Sequence, residues 1–324
     1  MLNRIAEALF WMGRYVERAE DTARILDVHV LHLLEGPSVS EGAACRSLLG
    51  VMGVPVPAGE LHAQRVNALL AFDERGGSSI VASLVAARQS ARGIREVLSA
   101  EMWEALNATY NLLPGQVDRA TRVGAHEFFQ FVRERAAIMG GLADSTMSRD
   151  DGWRFYVLGR SLERVDMTTR LLLARCTEPS VAADWATTLA CCSAYEAFLR
   201  TYRRAVEPAL VAEFLLLDRL FPRSAFHALA MAESCLNELE PAPGRVGLGA
   251  LHTVTALGDE ARRVLGRART DLEFLRPGEL MADLPAKLHA LQSACADAGA
   301  ATGRRYFRYA PVLEWNLEGS VATP

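Results

Sequence analysis

At about 100° per residue, Gly13, Glu17, Glu20 and Arg24 fall on one narrow strip of a helix. Gly159, Glu163, Asp166 and Arg170 repeat that strip in the second half of the chain. Each strip combines two carboxylates, one guanidinium and a glycine at which another backbone or a ligand can approach closely. In a polar pocket, the arginines would bind a substrate carboxylate or phosphate while a glutamate exchanges a proton. That makes Glu17 and Glu163 candidate acid/base residues, with Arg14, Glu20, Arg24, Arg160, Asp166 and Arg170 as candidate substrate-binding residues. In an ion-paired seam, Glu20 would pair with Arg24 and Asp166 with Arg170 at i, i+4, while Glu17 meets Arg170 and Glu163 meets Arg24 across a two-fold. As a third reading, Glu17-x-x-Glu20 facing Glu163-x-x-Asp166 resembles the carboxylate arrangement of di-metal bundles. Those sites add a histidine at i+3, which neither strip has, and interleaved arginines repel a cation, so no metal or cofactor is assigned. Arg14 and Arg160 project away from the apolar stripe of their helices, which implies that these helices are covered on more than one side.

A second polar set, Arg88, Arg92, Arg95 and Glu96, lies opposite Ile80, Leu84, Ala87, Ala91, Ile94 and Leu98. It reads as a solvated face or as an anion-binding edge near the helix start at Ser78-Ser79, and Arg88 and Arg92 join the candidate binding residues. Trp103, between Glu101 and Glu104, is either core or a partner anchor. The seven histidines form no HxxxH or HExxH pattern, and Gly244 to Gly249 lacks both the preceding strand and the Lys-Ser/Thr of a phosphate loop. An autonomous ATP-using enzyme is disfavoured.

The elements that must position these residues are helical. Ile5, Leu9, Met12, Val16, Ala19, Ala23, Leu26, Val30 and Leu33 step by four and three, an apolar stripe that ends near Gly36-Pro37. A connector follows over 36–60, with a turn or two of helix around 43–52. The spacing then predicts helices over 79–112, 117–141, 151–176, 182–205, 208–217, 223–239, 247–273 and 279–303, with a stop at Pro114-Gly115 and an irregular tail over 304–324. No strand is required, and the fold class is an all-α helical bundle.

The chain is internally duplicated. GRYVERAEDTARIL, residues 13–26, aligns without a gap on GRSLERVDMTTRLL, residues 159–172, with seven of fourteen positions identical. The apolar stripe keeps its phase, because Leu9, Met12, Val16, Ala19, Ala23, Leu26 and Val30 map onto Phe155, Leu158, Leu162, Val165, Thr169, Leu172 and Cys176. A second anchor sets Asp73 and Ser79 against Asp218 and Ser224, each pair in a turn where serine can cap the following helix. Two similar halves, 1–145 and 146–303, related by a pseudo-two-fold with the repeated helices at the centre, are expected.

Composition narrows the function. A formal charge of −4 and a pI near 6.0 give no basic face for nucleic acid. Lys287 is the single lysine, an arginine bias that coding composition explains as well as anion recognition does. The six cysteines have no metal-site or disulfide spacing and read as small core residues in a reducing compartment. The N-terminal stretch is interrupted by Glu7 and arginines, and uncharged runs such as Trp185 to Tyr195 fall short of the roughly 20 residues a membrane span needs. A cytoplasmic protein without membrane contact is expected.

Met1-Leu2-x-Arg4-Ile5-Ala6-Glu7, then Phe10-Trp11-x-Gly13-Arg14-Tyr15-x-Glu17-Arg18-Ala19-Glu20-Asp21-Thr22-Ala23-Arg24, resembles the bacterial alpha-E domain family. Ser78-Ser79-Ile80, Ala87-Arg88, Ala91-Arg92, Ser99-x-Glu101-Met102-Trp103-Glu104-x-Leu106-Asn107 and Gly159-Arg160-x-x-Glu163-Arg164 fit as well, covering most of the chain. Gly76-Gly77 departs from the family pattern, which favours a turn pair such as Asn-Pro before the serines. Members of that family occur beside, or fused to, circularly permuted ATP-grasp proteins, in neighbourhoods that also hold transglutaminase-like proteins and a proteasome-related peptidase. The resemblance implies an accessory helical subunit of an ATP-dependent amide- or peptide-bond-forming or peptide-modifying system, binding the ligase and its peptide or amino-acid substrate. An enzyme in its own right, a peptide amidoligase, transferase or hydrolase using the paired Glu/Arg strips, is the alternative.

Overall fold

The computed structural model describes residues 3–34, 40–177, 184–239 and 260–307, and these residues hold fourteen α-helices and no strand. The first half runs α1 (Asn3–Leu34), α2 (Glu41–Met52), α3 (Ala63–Asn67, continued by a π turn to Phe72), α4 (Ile80–Arg92), α5 (Ala100–Val123) and α6 (His126–Thr146). The second half runs α7 (Asp151–Thr177), α8 (Trp185–Cys191), α9 (Tyr195–Tyr202), α10 (Pro208–Leu217), α11 (Ala225–Leu239), α12 (Glu260–Glu273), α13 (Pro277–Leu280) and α14 (Leu284–Thr302). A π turn over Gly303–Phe307 closes α14.

The most extensive helix–helix contact is α1 against α7, and the other helices are arranged around that pair in matching ways. α4 and α6 pack on α1 as α11 and α14 pack on α7, while α5 lies on α4 and α6 as α12 lies on α11 and α14. The halves also interlock, since α2 reaches across to α7 and α8 to α1. The duplication read from the sequence is therefore a structural one. Its core follows the predicted stripe: Leu9, Met12, Val16, Ala19, Ala23 and Leu26 of α1 and Phe155, Leu158, Leu162, Val165, Thr169 and Leu172 of α7 are all buried. The side chain of Val30 lies outside the described residues, and its counterpart Cys176 is half-buried.

The second anchor is equally well preserved. Asp73 Oδ1 accepts the Arg75 amide, and Asp218 Oδ1 accepts the amides of Leu220 and Phe221. Ser79 and Ser224 each donate Oγ to the carbonyl of their aspartate. The same hydroxyls accept the Ala82 and His227 amides at 3.0 and 3.1 Å, the N-caps expected of α4 and α11.

Several boundaries differ from the sequence reading. The helix expected over 79–112 is two helices, because Ile94 leaves the helical region (φ −137°, ψ 26°) and Ser99 caps a new start with its Oγ on the Met102 amide. Pro114 does not stop α5. It is exposed, and the helix continues to Gly124, whose φ of 131° ends it. The helix expected over 182–205 breaks at Ser193, which has φ 50°. The segment expected over 279–303 is divided at Asp283, with φ 58°. The predicted stop at Gly36-Pro37, the breaks expected after the helices ending at 176 and 239, the stretch Gly244 to Gly249, the start of the helix expected at 247 and most of the tail lie outside the described residues. The described start of that tail, Arg304 to Phe307, is helical π turn rather than irregular chain.

Candidate functional site: a reciprocal carboxylate–guanidinium seam

The glycines of the two motifs set the distance between α1 and α7. A Cβ on Gly13 would collide with the carbonyl of Tyr156, and one on Gly159 with the carbonyl of Phe10, so the two backbones touch where the strips begin. One turn farther along, each motif glutamate is buried and meets arginines of the other copy. Arg14 Nε donates to Glu163 Oε2 and Arg18 Nε to Glu163 Oε1, both at 2.6 Å, with Arg18 adding a bond from its NH2 at 3.1 Å. In the mirror arrangement, Arg164 donates Nε to Glu17 Oε1 at 2.6 Å and NH2 to Oε2 at 2.8 Å, while Arg160 Nε stands 3.9 Å from the same carboxylate.

Arg14 and Arg160 therefore face the opposite helix, and each is covered from outside as well. The Arg14 guanidinium lies against Gly299 of α14 and that of Arg160 against Gly140 of α6. This is the second covering layer that their recurrence implies.

The cross-pairing expected from sequence is corrected by these contacts. Glu17 does not meet Arg170, and Glu163 does not meet Arg24. Arg24 bonds Glu20 and, at 3.3 Å, Asp21, while Arg170 Nε bonds Asp166 Oδ2 at 2.9 Å, so both are spent on their own helix. The i, i+4 part of the seam reading stands. The cross-helix part is carried by Arg14 with Arg18 and by Arg160 with Arg164, because the close glycine crossing presents residues i and i+4 of one copy to i+3 of the other.

One element breaks the symmetry. Arg223, in the turn before α11, donates NH1 to Asp21 at 2.7 Å and to Glu17 at 3.2 Å, and its NH2 bonds Glu20. The position matching Arg223 in the first half is Ser78, and the position matching Asp21 in the second is Met167. Both members of the extra ion pair are present on one side and both absent on the other.

The charges respond to this packing. Burial works against ionised Glu17, but Arg164, Arg223 and Arg160 overcome it and hold its carboxyl down at about 2. Glu163 is lowered as well, burial again being outweighed by Arg14 and Arg18. Asp21 goes the other way: burial, with Glu17 and Glu20 close by, pushes it up to about 7 despite Arg223 and Arg24. Buried Cys192 at the end of α8 adjoins this cluster and is pushed up to about 12 by burial, with Asp21 adding to the shift.

The remaining sequence candidates lie elsewhere. Arg88 bonds Asn107 of α5 at 3.2 and 3.3 Å and stacks over Tyr110 at 4.4 Å, so its partners belong to α5 and not to the seam. Arg92 is exposed on α4. Trp103 is half-buried beneath Arg88 and Arg95. Sequence reasoning passed over Arg18 and Arg164 as site residues although both recur in the duplicated string, and it passed over Asp21 and Arg223. Among the described residues no three His, Cys, Asp or Glu side chains converge as a metal-ligand set, and no helix is long and apolar enough to cross a membrane. The six cysteines are free thiols, five of them buried.

An uncharacterised protein of Mycobacterium bovis is 27% identical over 92% of this chain, and uncharacterised proteins of two Mycobacterium tuberculosis strains are 27% and 26% identical over the same share. The chain spans about a third of the length of these relatives, the match covering 36% of each. No solved structure matches the chain. Residues 1–307 match the alpha-E family, described as a predicted alpha-helical domain with a conserved ER motif; the sequence holds four Glu-Arg dipeptides, two of which, Glu17-Arg18 and Glu163-Arg164, clasp across the seam, and the chain belongs to the alpha-E family.

Proposed function

We propose that this chain is an accessory helical subunit of an ATP-dependent amide- or peptide-bond-forming, or peptide-modifying, system, which binds a circularly permuted ATP-grasp ligase and its peptide or amino-acid substrate. The observation that carries this reading is the saturation of the seam. Glu17 and Glu163, the two candidate acid/base residues, are each held by two or more guanidiniums and kept ionised, and of the arginines in the two strips Arg14, Arg24 and Arg170 are bonded to protein carboxylates while Arg160 stands 3.9 Å from Glu17. A carboxylate in that state neither gives up nor takes a proton near neutral pH. Family membership and the greater length of the relatives support a role beside further polypeptide, and the proposal extends to a transglutaminase-like protein as a second partner.

The test is co-expression with an ATP-grasp protein encoded beside the chain, followed by size-exclusion chromatography and a ligase assay. A stable complex whose product formation needs this chain, and persists in Glu17→Gln as far as that variant folds, is the expected result. Separate elution at micromolar concentrations, with ligase activity indifferent to the chain, would remove the reading.

A further inference from the structure

Away from the seam, a cavity of about 480 Å³ opens in the second half between α9, α10, the turn before α11, and α12. Leu217, Phe226, Leu272 and Leu275 supply its apolar lining. Its walls are charged. Glu213 accepts the Tyr202 hydroxyl at 3.2 Å, and Asp218 accepts backbone amides, both neutral donors, so among the described residues neither carboxylate has a cationic partner. Burial, then Glu213 and Asp218, push the Tyr202 phenol above its ordinary value, the response expected beside uncompensated negative charge.

A cation already stands at the rim. Arg219 lies over the Phe226 ring at 5.0 Å and 3.3 Å from Glu273, which it shares with Arg269. Its side chain is 61% exposed, so it can swing away at little cost. An aromatic face flanked by carboxylates is the arrangement that recognises an organic cation.

The duplication makes the same point independently. The Asp/Ser turn beside the cavity has its copy in the first half, yet the positions matching Glu213, Arg219 and Phe226 there are Ala68, Glu74 and Val81. The residues that α9 supplies to the wall, Thr201 and Tyr202, match Val56 and Pro57, which lie outside any helix. The shared frame has been kept, and the charged and aromatic lining belongs to one half alone.

We propose that this cavity binds a guanidinium or ammonium group on an apolar stem, the chemistry of an arginine or lysine side chain in a peptide. The bound cation sits against Glu213 and Asp218 with its stem over Phe226, and Arg219 competes with it from within the protein. This site stands or falls separately from the partnership with a ligase.

Titration of the full chain by NMR with N-acetyl-arginine methylamide, the lysine analogue and the neutral citrulline analogue tests it. The arginine or lysine probe should bind saturably, with citrulline about fivefold weaker or worse, the size of one partly exposed ion pair. Glu213→Gln should weaken the cationic probes by a similar factor. Arg219→Ala should tighten them, since it removes the internal competitor, an effect that a merely structural Arg219 would not produce. Equal binding of citrulline, no saturable binding, or weaker binding in Arg219→Ala would each overturn the proposal. If Glu213→Gln does not fold, the citrulline comparison and Arg219→Ala decide alone.

Discussion

Arg18 and Glu163 lie 145 positions apart and meet at 2.6 Å, and Arg164 and Glu17 repeat the contact at the same distance from the other side. The glutamate of each motif is thus completed by the arginines of the other. Removing one carboxylate strands two guanidiniums. Glu163→Gln is expected to lower unfolding stability by about 3 kcal/mol, the low end for breaking a buried pair, because Arg14 and Arg18 keep 15% and 21% exposure. Urea denaturation measures this, and a variant as stable as the parent but inactive in the ligase assay would instead favour an acid/base role.

Gly13→Ala and Gly159→Ala set two effects against each other. Helix propensity favours alanine by about 1 kcal/mol, while overpacking at a tight contact costs about 1–3 kcal/mol. The added methyl would strike a backbone carbonyl, which cannot rotate aside as a side chain could, so the clash should win and both variants should be less stable. A stabilised variant in thermal or urea melts would contradict the close crossing.

Asp21 and Arg223 can be tested by copying the second half's choices onto the first. Arg223→Ser leaves Glu20 and Asp21 with Arg24 as their one remaining shared cation, and Asp21→Met leaves Arg223 with one carboxylate fewer. The double variant should be more stable than the sum of the single effects requires, with a coupling of about 1–3 kcal/mol in a double-mutant cycle. Strict additivity would mean that the paired absence of Asp21 and Arg223 equivalents in the other half is unrelated to their contact.

The pH dependence has a defined sign. Asp21 is raised from 3.8 to about 7, so the folded state holds its proton more tightly than the unfolded chain, and this residue's contribution to stability falls as pH rises between about 4 and 7. Asp21→Asn should therefore gain on the parent across that window, by at most about 1.4 kcal/mol per pH unit, and the difference should level off above it. Glu17 acts in the opposite sense: its lowered carboxyl stabilises the fold above about 4.5, and that contribution is lost as pH falls toward 2. Thermal melts of both proteins from pH 2 to 9 separate the two, because the Glu17 window lies below about 4.5 and the Asp21 window above about 4.

What was legible in the sequence follows from periodicity. The stripe from Leu9 to Leu26 and its copy from Phe155 to Leu172 fix which faces of α1 and α7 are buried, and the repeated string places them together. The rotation of one helix against the other is a different matter. Spacing puts Glu17 and Arg24 on one strip, yet it carries no information on which arginine of the partner helix comes within reach, and the close approach at Gly13 and Gly159 brought Arg18 and Arg164 there instead. Arg223 was invisible for the converse reason. A search by duplication finds what the halves share, and Arg223 is matched by Ser78. Pro114 misled because a proline on a solvent-facing turn can be accommodated where a buried one cannot.

The glycine crossing and the exchanged bonds give the motif a property that neither copy has alone: it is its own complement. A surface that binds its own image is the signature of an isologous interface, of the kind that holds two identical subunits together. One half carrying Gly-Arg-x-x-Glu-Arg would present both the carboxylate and the forks needed to dock a second such half. The single chain holds this dimer interface internally, which frees each half to change away from the seam.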